Sequence, residues 1–167
     1  RYLFQSKFNL GTTYIHFGKL NEAMKYLDES FEIANVLDNK RLAARAQGYI
    51  ALVKYLQGNL EEAHIRFEKA CSELEDNPRA RSVFYCYHGE LLIKMKKLKD
   101  AREKIDQSLH IAEASYYPDL TEYARLANAN LLVKEQKYGD AQIQYRLVLA
   151  MVREKKLRRL ESGTLSG

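Results

Sequence analysis

The chain has 167 residues, 46% of them hydrophobic and 29% charged, with a formal net charge of +5. That balance fits one globular unit large enough to bury a core, and it excludes a disordered chain. With 2 Pro, 8 Gly and no Trp, many short strands and turns are excluded in favour of helices. No stretch approaches the roughly 18 consecutive apolar residues of a membrane span. The opening "RYLFQSKFNL" lacks the ordered zones of a signal peptide, and a start at Arg1 reads as a piece of a longer protein. Cys71 and Cys86 read as free thiols of a reducing compartment, so the expected location is intracellular, in the cytoplasm, with the nucleus left open.

Taken in chain order, residues 1–36 hold a first helix around "SKFNLGTTYIHF" and a second over Gly18–Ala34, "GKLNEAMKYLDESFEIA". In the second, Ala23, Tyr26, Leu27, Phe31 and Ala34 recur at helical spacing as one apolar stripe. "NVLDNK" breaks the chain before residues 40–74, which pair "ARAQGYIALVKYL" with "GNLEEAHIRFEKACSEL". "EDNPRA" and "ASYYPD" then precede residues 79–114 and 119–152, whose second helices are "KKLKDAREKIDQSLHIA" and "QKYGDAQIQYRLVLAMV". The Asn, Asp and Pro of these three loops break one helix and cap the next. Residues 153–167 form a basic helix extension and a flexible tail.

The four second helices are one motif written four times. Ala23, Ala63, Ala101 and Ala141 stand 40, 38 and 40 residues apart, the period of a helical solenoid. Each Ala sits where two helices cross closely, and Phe67, Ile105 and Tyr145 follow four residues later as bulky knobs. Gly18 and Gly58 occupy the turn inside a pair, where a residue tolerant of positive φ ends a helix. Lys96 and Gln136 replace them later, so those turns are expected to be built differently or strained. The period alone also fits HEAT-like helix pairs. "LGTTY" at Leu10–Tyr14, followed by Gly18, Ala23 and Leu27, resembles the tetratricopeptide signature, and the Gly and Ala placement favours that family. The resemblance weakens in the last two units, where Gly89 and Ala129 hold the small-residue position of the first helix. The repeats are about six residues longer than the usual ~34, a form similar to that of kinesin light chains, spindle-orientation adaptors, quorum-peptide-binding regulators and maltose-activator-type regulators. The implied fold is all-α, a right-handed solenoid of four antiparallel helix pairs.

Nothing in the sequence asks for catalysis. His16, His64, His88 and His110 fall in separate helices and are read as lacking the i, i+4 His/Glu spacing of a helical metal site, and Cys86 and His88 point to different faces of one helix. There is no phosphate loop and no nucleophile elbow. Glu61 with Glu62, and Glu22 with Glu29, read as solvated helix faces. The expectation is no enzyme, no cofactor and no metal.

The resemblance implies that first helices line a concave groove. Its exposed positions are then Gln5, Asn9, Thr12 and His16, next Arg45, Tyr49 and Leu52, next Tyr87, Glu90 and Lys94, and last Tyr123, Asn130 and Lys134. Amides there suit a peptide main chain, aromatics pack and cations select charge. The other reading makes Tyr49, Tyr87 and Tyr123 inter-helix core. The family's chaperone-tail clamp is not expected, because Phe8, Thr12, Tyr49, Cys86 and Glu90 stand where its charges and amides belong. "REKKLRRL", Arg153–Leu160, carries five basic residues and one acid; it reads as a solvated helix end, or as an electrostatic contact for nucleic acid or another acidic partner. The function expected is a non-catalytic scaffold or adaptor holding a peptide or helix of a partner protein. The alternative is the ligand-sensing repeat domain of a larger transcriptional or signalling regulator. Self-association through the terminal repeats stays open.

Overall fold

A computed structural model of the chain describes the backbone of residues 1–164 and the side chains of residues 1–157. The described residues form eight helices and no strand: α1 (Tyr2–His16), α2 (Leu20–Val36), α3 (Lys40–Leu56), α4 (Leu60–Ser72), α5 (Pro78–Lys94), α6 (Leu98–Ala114), α7 (Pro118–Lys134) and α8 (Tyr138–Thr164). They stack as four antiparallel pairs in an all-α solenoid. Odd-numbered helices form one layer and even-numbered helices the other, and each odd helix also touches the next odd one. No helix is long and apolar enough to cross a membrane among the described residues.

Each pair closes where a small residue of the odd helix meets a bulky one of the even helix. A methyl added at Gly11 would lie 2.6 Å from Leu27 Cγ, and one at Gly89 would lie 2.5 Å from Ile105 Cγ1. Leu27 and Ile105 are fully buried, as are Ala23 and Ala101 one turn earlier. The stripe on α2 differs in detail from the sequence expectation. Ala23, Leu27, Ser30 and Ala34 are buried, while Tyr26 and Phe31 are half-buried at its edge. Ser30 is tolerated inside because its hydroxyl donates to the Leu27 carbonyl at 2.7 Å. Between pairs, Gly48 lets the Phe84 ring press directly against the α3 backbone.

Six of the seven connections share one geometry. Gly18, Asp38, Gly58, Lys96, Tyr116 and Gln136 all have positive φ. At each, two backbone N–H groups reach back to the ending helix; Lys96 donates to Ile93 and Lys97 to Leu92, at 3.0 and 2.9 Å. This is the Schellman arrangement. The turns at Lys96 and Gln136 are therefore built like the glycine turns and carry the strain of a side chain at φ 61 and 62. Only the α4–α5 connection departs from this geometry: α4 stops early, and Asn77 then caps α5 by accepting from the Ala80 N–H at 3.2 Å.

Two clusters make the core, one from α1, α2 and α3 and one running from α3 to α7. Helix α8 leaves Ile143, Leu147 and Val152 about half exposed, because no following helix packs on it among the described residues. The basic extension continues α8, where Lys155 approaches Glu122 at 3.4 Å. The side chains of Arg158, Arg159 and Leu160, and all of residues 165–167, lie outside the described part.

Two outcomes follow for stability. Lys96→Gly should raise the unfolding free energy by about 0.5–1 kcal/mol, since relief at positive φ exceeds the extra freedom of the unfolded chain. Gly48→Ala should lower it by about 1–3 kcal/mol through the clash with Phe84. Urea denaturation of both variants checks the two signs.

Candidate functional site

Register explains how the odd helices present their side chains. Counting one repeat at a time, Gln5, Arg45, Val83 and Tyr123 are equivalent, as are Asn9, Tyr49, Tyr87 and Ala127. Thr12, Leu52, Glu90 and Asn130 form a third row; His16, Leu56, Lys94 and Lys134 form a fourth. These rows face one side of the odd-helix layer and leave three hollows in series. The first, about 290 Å³, lies between α1, α3 and α5 and is lined by Asn9, Thr12, His16, Arg45, Tyr49 and Tyr87 among others. The second, about 320 Å³, shares His16, Tyr49 and Tyr87 with the first and adds Arg79, Glu90, Asp119 and Tyr123. The third, about 410 Å³, shares Glu90 with the second and reaches Lys94, Asn130, Lys134 and Tyr145.

Twelve of the thirteen residues expected in the groove line one or more of these hollows. Gln5 stands outside them and donates to Asn9 Oδ1 at 2.6 Å. The three tyrosines differ in kind. Tyr49 is wedged edge-on between Phe8 and Phe84, with ring centroids 5.1 and 5.4 Å away, so it is core and wall together. Tyr87 is half-buried, and Tyr123 is 61% exposed. Arg79, Val83, Leu56, Asp119 and Tyr145 were missed. Val83 and Leu56 could have been found by filling in the rows, and Arg79 and Asp119 by noting their matched places after Pro78 and Pro118. Arg79 and Asp119 pair at 2.6 Å across neighbouring odd helices.

The groove is electrostatically mixed. Arg45 lies 4.2 Å above the Phe8 ring and Lys94 4.3 Å above the Tyr55 ring, so both cations rest on aromatic faces. Burial pushes the Glu90 carboxyl above its ordinary range, against the pull of Lys94. Burial, then the nearby Glu90 carboxylate, pushes the Tyr87 phenol up to about 12. At the far end the Tyr145 hydroxyl donates to Asn130 Oδ1 at 2.8 Å. A separate hollow of about 470 Å³ sits at the α2–α3 turn, among Asn35, Asp38, Lys40 and Lys69, away from the groove.

The expectation that the histidines do not converge is corrected. His64 on α4 and His88 on α5 meet ring to ring, Nδ1 of the first 2.6 Å from Nε2 of the second. The pairing depends on how α4 and α5 stack, which no local spacing reveals. Glu68 stands i+4 from His64, the spacing that the sequence reading wrongly denied to every histidine, and donor atoms of all three lie within 4.8 Å of one another. His88 is fully buried, which drives its imidazole down to about 3, so the ring is neutral at ordinary pH. Cys71 and Cys86 are free and buried, and desolvation raises both thiols, Cys71 to about 12.

Comparison with known proteins adds a family match. Residues 2–73 match the tetratricopeptide repeat family model. The match spans the first two helix pairs. The tetratricopeptide-like fold continues through the remaining pairs, as solved structures show. The apo form of RapI superimposes with a TM-score of 0.79 at 16% identity, covering 96% of this chain. BtubC (BKLC) from P. vanneervenii gives 0.76 at 12% identity over 92%. A putative kinesin light chain with TPR-like repeats from Podospora anserina gives 0.70 at 14% identity over 90%. The chain spans 60% of the RapI structure and 64% of the BtubC structure. No curated protein sequence matches it at a significant level. Tetratricopeptide arrays are generally protein-interaction scaffolds.

Because Tyr49 is wedged between two phenylalanines, Tyr49→Ala should cost about 2–4 kcal/mol of stability, while Tyr49→Phe should stay within about 1. Thermal and urea unfolding of the two variants would separate packing from the contribution of the hydroxyl.

Proposed function

We propose that this tetratricopeptide array is a non-catalytic adaptor that holds an extended segment of a partner protein along its odd-helix groove. The observation that carries the reading is continuity. Three hollows share residues end to end, His16, Tyr49 and Tyr87 at the first seam and Glu90 at the second. A series of linked hollows suits a chain crossing several repeats better than one compact ligand. Asn9 and Asn130 are exposed near the two ends and offer amides to a peptide main chain, which supplies a donor and an acceptor at nearly every residue. Tyr87 and Tyr123 offer flat apolar contact with little side-chain entropy to lose. Lys94 and Lys134, one repeat apart and both exposed, favour acidic residues at that end of the segment. The adaptor chemistry needs no reacting group, only complementarity along the groove.

The test is selection of binding peptides from a random library on the intact chain, then calorimetry on variants. Lys94→Ala with Lys134→Ala, and separately Tyr123→Ala, should each weaken the selected peptides by about tenfold or more. Ile65→Ala, at an exposed site on even helix α4 outside the three hollows, should change nothing. Peptides that keep full affinity for the groove variants would sink the proposal.

A further inference from the structure

We propose that His64, Glu68 and His88 form a site for a single divalent transition-metal ion, with Zn²⁺ the first choice, at the junction of the second and third helix pairs. Two imidazole nitrogens with one carboxylate form a donor set suited to zinc, and a fourth position is left for water. His88 is fully buried and fixed by stacking on Phe67, centroids 5.7 Å apart. His64 is half-exposed and Glu68 exposed, so the site opens to solvent on one side and an ion can enter. Glu68 has no hydrogen bond or ion pair among the described residues. The buried Nδ1 of His88 has no partner either, so neither tautomer of the pair is fully satisfied by the contact between the two rings.

Register supplies an independent reason. One repeat later, His64, Glu68 and His88 correspond to Arg102, Asp106 and Asn128. There the slot holds a cation belonging to the chain itself. The Arg102 guanidinium donates to Asn128 Oδ1 at 2.5 Å and to Glu135 at 2.9 Å, and lies 3.7 Å from Asp106. One repeat earlier the equivalents are Met24, Asp28 and the buried Ile50, so that slot has a carboxylate but no nitrogen donor at the other two positions. A carboxylate stands at all three junctions, as Asp28, Glu68 and Asp106, and only the middle one sets it beside two nitrogen lone pairs in place of the guanidinium. An ion between the two rings restores the missing positive charge. Lys104 and Lys97 also act on His88 through space.

The fit asks for a small movement. Two nitrogens about 2 Å from a tetrahedral zinc stand roughly 3.3 Å apart, against the 2.6 Å of the empty pair. Half-exposed His64 can swing outward by that difference. Each ring then carries its proton on the nitrogen remote from the ion, so two neutral imidazoles bind without a net change in protons.

The experiment is calorimetric titration of the chelator-stripped full chain with ZnCl₂, alongside Co²⁺ absorption and melting temperature. One equivalent should bind in the micromolar range or tighter, raise the melting temperature and give Co²⁺ the spectrum of low coordination. Glu68→Gln should weaken binding by at least about tenfold. His64→Arg with His88→Asn copies the next junction, should stay folded and should bind no ion. Cys71→Ser, on the same helix, should bind as the parent chain does. No binding by the parent chain, binding that survives the double substitution, or binding lost with Cys71 would each overturn the proposal.

Discussion

Close approach between the two helices of a pair is the constraint on which the whole array depends. Gly11 against Leu27 and Gly89 against Ile105 leave no room for even a methyl group. Once that spacing is set, the pair has a fixed crossing, and the next pair must repeat it to bury the face left over. Packing density then does the rest, because a core this tight transmits geometry from one repeat to its neighbour. The groove is a by-product of the same constraint. It forms where the odd helices stack side by side and their outward rows fall into register.

Much of this was legible in the sequence, for a physical reason. A repeat writes each structural decision several times, so a noisy signal at one position is corrected by the next. Gly18 and Gly58 announced turns that Lys96 and Gln136 then concealed, yet all four adopt the same backbone. The groove rows could be read the same way, by adding one period to Asn9 or His16. What escaped was whatever the repeats do not share. The Arg79–Asp119 pair joins unlike residues, and the His64–His88 contact occurs at one junction alone. Both depend on which side chains two neighbouring units bring into contact, and a period predicts equivalence rather than contact.

The junctions show how freely such a fold varies its chemistry. At equivalent places it uses an apolar contact, a pair of imidazoles, and a guanidinium held by an amide and carboxylates. All three fill similar space between an even helix and the next odd one. The backbone is indifferent to the choice provided each buried polar group finds a partner. The Ser82 and Ser108 hydroxyls make the same point, each donating to the other's backbone carbonyl at 3.0 and 2.8 Å inside the core.

Tyr49 belongs to two worlds. Its ring packs against both core clusters, the one built on α1 and α2 and the one running on toward α7, and its edge forms a wall of two hollows. Exposed groove residues such as Asn9 and Lys134 lie outside both core clusters and can move without disturbing them. Tyr49 has no such freedom, since moving it loosens Phe8 on one side and Phe84 on the other. A segment resting against this ring, as proposed, would brace both halves of the solenoid at once, and occupancy would be felt as stiffness: slower amide exchange in α1 and α5, helices that share little direct contact but lean on the same side chain.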